Sequence, residues 1–215
     1  MPALRVLSYN MRSLRDDPAA LVRVVRGAAP DVVCVQEAPK WWRWRSRCAE
    51  LARRCDLFFV TGGLPAGNNI LMSTVAVGVE ATADSLFTRR FGLHQRGTAT
   101  AMCSLDGARF RLVSTHLDMA APDRRLHVEE IFVALGPLSE PVILGADVNE
   151  HPGEPAWEAL AAVLPESGAG TLARRIDGVF LSPSIRVLSA AVLDSPDVRI
   201  ASDHRPLLVE CELPL

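Results

Sequence analysis

The sequence has no apolar run near the ~20 residues that a membrane-spanning helix needs. Its first residues, Met1 to Arg5, lack the pattern of a signal peptide. Internal repeats, low-complexity tracts and Pro- or Gly-rich linkers are also missing. We therefore expect a cytoplasmic protein without a membrane span, folded as a single domain over residues 1–215. The sequence does not specify its oligomeric state.

The sequence also lacks closely spaced cysteine pairs and has very few lysines. The five cysteines are odd in number and show no C-x-x-C spacing, which argues against a zinc site or a secreted disulfide framework and suits a reducing compartment. Lys40 is the only lysine among 23 basic residues, and the formal net charge is −2. The chain therefore has no global basic field that would recruit nucleic acid, although local arginine patches are not excluded.

What the sequence does contain is 49% hydrophobic residues, enough for a sizeable core, and a strand–helix–strand unit at its start. Residues 4–10 and 31–37 have strand patterns, and Asp16-Asp17-Pro18 between them is typical of a helix start. A unit this compact predicts parallel neighbouring strands, with Asn10 and Glu37 at the same edge of the sheet.

The rest of the chain is rich in strand patterns, separated by helices and glycine-rich turns. In helix 122–136 the spacing places Leu126, Ile131 and Leu135 inward and leaves His127 in solvent. We predict helices over 122–136 and 155–163, a loop at 168–170, and strands over 57–61, 70–73, 75–81, 97–105, 109–116, 142–144, 174–181, 185–193 and 207–213.

Residues 38–55 combine tryptophan with arginine. Apolar residues recur there at intervals of three and four, typical of an amphipathic helix: Trp41, Trp44, Cys48, Leu51 and Cys55. Arg43, Arg47 and Arg54 fall on a line beside them. The pattern favours core tryptophans with a solvated arginine flank. The alternative is a basic, Trp-bearing edge near Glu37 that binds phosphates or stacks a base, and whether Trp41, Trp42 and Trp44 border a pocket stays open.

The stretch Gly145-Ala146-Asp147-Val148-Asn149 follows a buried strand and is the most suggestive of chemistry. Alternate residues of a strand share a face, so Asp147 and Asn149 would project together. Such a pair can hold a water or a metal and donate to an oxyanion. A polar turn after a core strand explains this stretch equally well. Elsewhere, His116 closes a strand, and residues 94–97 form either a plain loop or one in which Arg96 contacts a substrate phosphate.

Six short motifs, taken in order, resemble the endonuclease/exonuclease/phosphatase superfamily, the fold of DNase I-like nucleases. Each motif is weak alone, but together they span almost the whole chain. The resemblance implies an α/β four-layer sandwich, with two mixed β-sheets packed face to face and helices outside. The motifs are Tyr9-Asn10, Gln36-Glu37, Thr115-His116-Leu117, Gly145-Ala146-Asp147-Val148-Asn149, Arg175-Ile176-Asp177 and Ser202-Asp203-His204-Arg205-Pro206.

The chain departs from the superfamily in two respects. It is short, so loops that grip duplex DNA in the nucleases are expected to be missing. The central motif reads Gly-Ala-Asp-Val-Asn where Gly-Asp-Phe/Leu-Asn is commoner, but the Asp-x-Asn spacing is kept.

The resemblance also implies a role for each motif residue. Glu37 would be the principal ligand of Mg²⁺, or of Mn²⁺ as the alternative ion, with Asn10 beside it and Asp203 as a further carboxylate. Asp147 would orient or deprotonate the attacking water, and Asn149 would hold that water or the phosphate.

The resemblance also implies that two histidines contact the substrate. His204 would contact the scissile phosphate, with Asp177 bonded to its other ring nitrogen, and His116 would be a second donor to the phosphoryl oxygens. Whether Asp147 or His204 is the general base, and whether one metal binds or two, stay open.

The implied function is a Mg²⁺-dependent phosphoesterase that hydrolyses a phosphodiester, as a nuclease or phosphodiesterase, by metal-activated water attack. The alternatives are a phosphomonoesterase or lipid-headgroup hydrolase, of the inositol-phosphate phosphatase or sphingomyelinase type, and a non-catalytic binding module of the same fold. The presence of Glu37, Asp147, Asp203 and His204 argues against the module. The expected partner is a phosphate-ester substrate, with nucleic acid among the candidates, although the near-neutral charge weakens the case for duplex DNA.

Overall fold

The computed structural model describes residues 1–168 and 175–215. Arg174 and the predicted loop beyond Gly168 lie outside these ranges. The strands in the described residues are β1 (Ala3–Asn10), β2 (Val32–Gln36), β3 (Phe58–Gly63), β4 (Asn69–Ser73), β5 (Gly78–Leu86), β6 (Gly97–Leu105), β7 (Ala108–His116), β8 (Val142–Asp147), β9 (Asp177–Leu181), β10 (Arg186–Val192) and β11 (Leu207–Glu212).

Five α-helices connect these strands within the described ranges. They are α1 (Pro18–Ala28), α2 (Trp44–Arg54), α3 (Ala121–Leu135), α4 (Pro155–Ala161) and α5 (Pro196–Ala201). Helix α1 begins where the sequence predicts, because the Asp17 side chain accepts hydrogen bonds from the backbone N–H groups of Ala19 and Ala20. None of the helices in the described ranges combines the length and hydropathy that crossing a bilayer requires.

The strands form two mixed sheets, and each contains one parallel pair. The first sheet has the order β10-β11-β1-β2-β4-β3, and the second has the order β5-β6-β7-β8-β9. Strand β1 runs parallel to β2, and β7 runs parallel to β8. The remaining neighbours are antiparallel. The carboxyl ends of each parallel pair therefore lie at one edge of their sheet.

Alternation along the strands builds the layers. In β1, Leu4 and Val6 pack against the second sheet, whereas Leu7 and Tyr9 pack against the helices outside the first. In β8, Ile143 faces the first sheet, and its neighbours Val142 and Leu144 face the outer helices. Helices α1, α2 and α5 cover the first sheet, and α3 and α4 cover the second. The predicted four-layer α/β sandwich is confirmed.

Two local predictions are wrong, and one helix is missed. Helix α2 begins only at Trp44, so Trp41 precedes it and is 60% exposed rather than in the core. In α3, His127 is buried and Leu126 faces solvent, because the His127 ring packs on Phe87 with 4.9 Å between ring centroids. The sequence analysis also does not predict helix α5.

Candidate active site

Three neighbouring strands of the second sheet bring polar side chains into one row. His116 ends β7, Asp147 ends β8 and Asp177 begins β9; Asp147 lies directly opposite each of the other two in the strand register. Because Gly145 and Ile143 face the first sheet, alternation turns Asp147 toward that sheet as well. The row therefore lies at the edge of the seam between the sheets.

Asn10 reaches this row from the first sheet. It ends β1 and is buried, and its Nδ2 donates to Asp147 Oδ2 at 2.8 Å. Its Oδ1 accepts from the backbone N–H of Arg12 at 3.0 Å, which fixes the orientation of the amide. The side chains at the ends of two strands from different sheets are thus joined directly.

Asp147 is the centre of the contacts. Its Oδ2 also lies 3.2 Å from His116 Nε2 and 3.9 Å from His204 Nε2, and its Oδ1 accepts from the backbone N–H of Asn149. Burial raises the pKa of Asp147, and the charge of Asp177 adds to the effect, although His116, His204 and Asn10 act in the opposite direction. The buried carboxyl therefore has a higher affinity for a proton than an exposed one.

His204 and Asp177 form a hydrogen-bonded pair, with 2.8 Å between Nδ1 and Oδ2. Burial of the ring favours its neutral form, but the hydrogen bond and charge of Asp177, helped by Asp147, raise the pKa of His204 to about 9. Ser202, two residues earlier, donates through Oγ to the carbonyl of Asn10 at 2.8 Å. This bond ties the His204 loop to the end of β1.

His116 has the opposite electrostatic behaviour. It is buried, and burial lowers the pKa of the ring to about 3 despite the nearby Asp147 carboxylate, so the ring is neutral. Asn149 Nδ2 lies 3.0 Å from His116 Nε2 and donates to the carbonyl of Leu117 at 2.9 Å. Asn149 is therefore held beside His116, in the left-handed backbone region at φ 54°.

Glu37 directly follows β2 and lines a pocket of about 270 Å³. It too is left-handed, at φ 50°, and its carbonyl accepts from the backbone N–H of Ser13 at 2.7 Å. A non-glycine residue in this conformation is commonly found at functional sites, where the surrounding structure holds it. The pocket is lined by Arg15, Glu37, Lys40, Gly67, Asn68, His94, Gln95 and Arg96.

Arg96 connects this pocket with the Asp147 cluster. Its side chain is buried, and its Nε has no hydrogen-bond partner in the described residues and lies 4.0 Å from Asp118 Oδ2. Burial lowers the pKa of Arg96, whereas the charges of Asp147, Asp118 and Glu37 act to raise it. A buried guanidinium with an unused donor is suited to an anionic ligand.

Most of the predicted site residues meet in one place, and Asp203 lies at its outer side. The side chain of Asp203 is half exposed, and its Oδ2 lies 3.1 Å from Arg12 Nε. Asn10, His116, Asp147, Asn149, Asp177 and His204 form the inner cluster, and Glu37 and Arg96 lie at the adjoining pocket.

Two residues near the site were not singled out from the sequence. Asp118 is buried beside Arg96, and its position directly after the His116 motif is the signal that could have indicated it. Asn68 lines the pocket next to Glu37, and its Oδ1 is buried without a partner among the described residues. Asn68 follows Gly67 in a glycine-rich turn between predicted strands 57–61 and 70–73, where a turn role is sufficient to explain it.

The oxygen-rich surroundings are compatible with a divalent cation. Asp147, Asp177 and His204 each offer a ligand atom, and these atoms lie within 4.8 Å of one another. Asp177 Oδ1 and Asn68 Oδ1 are both buried without hydrogen-bond partners among the described residues. Hard cations such as Mg²⁺ bind carboxylate and amide oxygens of this kind.

The two mixed sheets with helices on both outer faces, and the cluster at the seam, define an architecture shared by a class of phosphate-ester hydrolases. A family model described as the Endonuclease/Exonuclease/phosphatase family matches residues 7–204. The chain belongs to this family. A search of curated proteins found no match to the sequence.

Solved structures resemble the chain over its whole length. An endonuclease/exonuclease/phosphatase from Bacteroides vulgatus aligns over 100% of both chains, with a TM-score of 0.81 and 16% identity. A mannosyl-6-phosphatase from Bacteroides thetaiotaomicron aligns over 99% of this chain and 100% of its own, with a TM-score of 0.78 and 18% identity. D. rerio TDP2, in complex with a single-stranded DNA product, aligns over 99% and 100%, with a TM-score of 0.70 and 18% identity. At these identities the likeness shows the fold alone.

Proposed function

We propose that the chain is a Mg²⁺-dependent phosphoesterase that hydrolyses a phosphodiester, with Mn²⁺ as an alternative ion. The observation that carries this proposal is the grouping of Asp147, the His204–Asp177 pair and Asn10 at the seam of two sheets. An arrangement that only stabilised the fold would not need a buried carboxyl, a charged imidazole and a neutral imidazole in contact. Membership of the family supports the same reaction class.

Asp147 is suited to receiving a proton from the attacking water. Burial raises its pKa, so its carboxylate is a stronger base than an exposed aspartate, and Asn10 and Asn149 hold both of its oxygens in place. The bond formed is between the water oxygen and phosphorus, and the bond broken is between phosphorus and the ester oxygen. The products are a phosphomonoester and an alcohol.

His204 is suited to stabilising the negative charge that develops on the phosphate. Its Nδ1 is bonded to Asp177, which leaves Nε2 to donate to a phosphoryl oxygen, since its 3.9 Å distance from Asp147 Oδ2 is too long for a hydrogen bond. Arg96 is positioned to bind a second phosphate oxygen from the adjoining pocket. The raised pKa of His204 supports a base role for Asp147 and a donor role for His204.

We assign Glu37 as the principal ligand of the cation, with Asn10 beside it and Asp203 as a further carboxylate. When bound, the ion would neutralise charge on the phosphate and increase the acidity of the attacking water. In the residues described here, Asp203 is engaged with Arg12 and Asn10 with Asp147, so Glu37 is the ligand least committed to other groups among the three.

A phosphomonoesterase is the second candidate. The pocket beside Glu37 is about 270 Å³, and Arg15, Lys40 and Arg96 give it a basic lining that suits a dianionic terminal phosphate. The mannosyl-6-phosphatase from Bacteroides thetaiotaomicron shares the fold, which makes a sugar phosphate a reasonable test substrate.

The test is a panel of phosphate esters assayed with Mg²⁺ or Mn²⁺ and with EDTA. It includes an aryl phosphodiester, an aryl phosphomonoester, single- and double-stranded DNA, RNA, mannose 6-phosphate, inositol phosphates and sphingomyelin. We expect metal-dependent cleavage of a diester that disappears in Asp147→Asn. Turnover confined to monoesters would favour the second candidate, and a panel without Asp147-dependent turnover would contradict both.

A further inference from the structure

A second surface lies beside the candidate active site, and the proposed reaction does not use it. It is a groove of about 660 Å³ in front of helix α2, which we call the Trp–Arg groove. Its lining includes Trp41, Trp42, Arg43, Arg47 and Arg54.

The two tryptophans of the groove are exposed because the chain anchors a third one instead. Trp44 is partly buried and packs against the core between α2 and the first sheet, next to Gly63, where an added β-carbon would lie 2.0 Å from the Trp44 ring. Helix α2 starts at Trp44, so the three preceding residues lie outside it, and among them Trp41 is 60% and Trp42 is 85% exposed. Adjacent exposed tryptophans on one surface are unusual and point to a binding role.

The groove also has an excess of basic residues, in a chain whose formal net charge is −2. Three of its lining residues are arginines, Arg43, Arg47 and Arg54, and one is acidic, Glu50. Glu50 is paired with Arg53, with 2.7 Å between the charged atoms. Within the described residues, Arg43 and Arg47 form no ion pair, and Arg43 lies over the Trp42 ring at 5.6 Å from its centroid. The groove therefore offers cations and aromatic faces together.

The groove lies beside the pocket that holds Glu37. Arg15 and Lys40 line the pocket, and the residues next to them in the chain, Leu14 and Trp41, line the groove. A long substrate held at the catalytic cluster can therefore extend over Arg15 and Lys40 onto the tryptophans. A small phosphate ester would leave this surface unused.

We propose that the Trp–Arg groove binds a single-stranded polynucleotide, with its bases stacked on Trp41 and Trp42 and its phosphates on the arginines. Bases in a duplex are stacked on each other, whereas bases of a single strand are free to stack on aromatic side chains. A concave surface with arginine and tryptophan on the same walls fits a strand with alternating charge and rings better than it fits a flat lipid surface. This inference rests on the proposed function in one respect: the bound strand would be the substrate.

The test measures binding without turnover. Fluorescence anisotropy of a labelled twelve-nucleotide oligo(dT) is followed with the Asp147→Asn chain in EDTA, and the Trp41→Ala/Trp42→Ala pair of substitutions is added to that background. We expect the pair to weaken binding by about tenfold or more, since each stacked base contributes substantially to affinity. Arg43→Ala/Arg47→Ala should reduce the dependence of affinity on salt concentration, because fewer counterions are released.

Phe58→Ala is the matched control. Phe58 is 62% exposed but pairs with Ser73 at the end of the first sheet away from Glu37, and it does not line the groove. It should bind oligo(dT) like its parent. If the double substitution disturbs folding, the oligo(dT) affinity of Trp42→Ala alone is measured instead, because this exposed side chain has few contacts to lose.

The outcomes separate the proposals. Equal oligo(dT) affinity with and without the tryptophans would overturn the inference, and so would binding to phosphatidylserine vesicles in place of oligo(dT), which would indicate a membrane surface. Tight binding of oligo(dT) through the tryptophans, in a chain that hydrolyses no phosphate ester, would support the groove and refute the phosphoesterase.

Discussion

Asp147 is the residue at which the requirements of stability and of chemistry conflict. It is buried, and its raised pKa means that the folded state binds the carboxyl proton more tightly than the unfolded state does. The free energy of unfolding therefore falls as the pH rises from the unfolded pKa, about 3.9, through the higher folded value. Above the folded pKa, the ionised Asp147 lowers the stability of the fold.

We expect Asp147→Asn to lose at least ~10²-fold in kcat, as for loss of a general base, while its unfolding temperature at pH 7 stays equal or rises. Steady-state kinetics and calorimetry on the same preparation check both halves. Asp106→Asn, at an exposed turn, is the control and should change neither quantity. Near-normal kcat in Asp147→Asn would remove Asp147 from the reaction.

His204 changes the stability in the same direction as Asp147, but at higher pH. Its folded pKa of about 9 lies above the ordinary 6.5, so its interactions contribute stability that is complete below about pH 6.5 and is lost as the pH rises through 9. If the protonated ring stabilises the phosphate, kcat/KM should also decline near pH 9.

Asp177→Asn should move this alkaline decline to lower pH by at least about one unit, because Asp177 supplies both the hydrogen bond and the charge that raise the pKa of His204. The measurement is the pH profile of kcat/KM, accompanied by the free energy of unfolding at pH 6 and pH 9. Superimposable profiles for the two proteins would show that the Asp177–His204 pair does not control the reaction.

At the scale of elements, strand β8 carries Asp147 and is packed tightly against the first sheet. A β-carbon added at Gly145 would lie 2.5 Å from the Cys34 β-carbon and 2.9 Å from Ser8 Oγ. Gln36 Nε2 lies 3.3 Å from the carbonyl of Gly145, so a polar contact also crosses the seam at this level. The glycine of the central motif therefore sets the separation of the sheets just before the site.

Gly145→Ala should destabilise the fold by about 1–3 kcal/mol through overpacking, and it should lower kcat because it displaces β8. Urea unfolding measures the first effect. The same substitution at Gly27, a helix position with nothing within 4 Å of the added carbon, should stabilise by up to about 1 kcal/mol. If both substitutions changed the free energy of unfolding in the same direction, the role assigned to Gly145 at the seam would be contradicted.

The sequence predicted the elements whose local signals agree with their tertiary setting. The Asp17-Pro18 start of α1, the parallel pairing of β1 with β2, and the placement of Asn10 and Glu37 at one sheet edge follow from capping and crossover rules. The motif residues came from the resemblance, and alternation explains why those in β1, β7 and β8 face the seam.

Other features depend on tertiary contacts that a helical period does not contain. Trp41 fits an amphipathic stripe, yet the chain enters α2 one turn later because Trp44 occupies the space over Gly63. His127 is buried in place of Leu126 because Phe87, from a distant loop, packs on its ring. Asp118 and Asn68 could not be assigned to the site from the sequence, because their places there follow from contacts in the folded chain. Asp118 lies beside Arg96, and Asn68 lines the same pocket as Glu37.

At the scale of the whole molecule, each sheet contributes part of the site. Glu37 and Asn10 end strands of the first sheet, and His116, Asp147 and Asp177 belong to the second. A cation held among these oxygens would bind only the assembled sandwich. Its binding free energy would therefore add to the stability of the fold.

We expect Mg²⁺ to raise the unfolding temperature of the EDTA-treated protein. At a Mg²⁺ concentration of a hundred times Kd, the free energy of unfolding should increase by about 2.7 kcal/mol. Glu37→Gln should reduce this gain, whereas Glu50→Gln, on the surface of α2, should leave it intact. Thermal scans across a Mg²⁺ titration provide the measurement. If neither Mg²⁺ nor Mn²⁺ changed the unfolding temperature of the wild-type protein, the proposed cation site would be excluded.

Strand β11 pairs with β1, although the two lie at opposite ends of the sequence. During translation, β1 therefore emerges from the ribosome long before its neighbour and waits as an open edge to which other chains can add. The loop that carries His204 arrives just ahead of that missing strand. The cluster around Asp147 therefore cannot be complete until residues 204–212 have been synthesised.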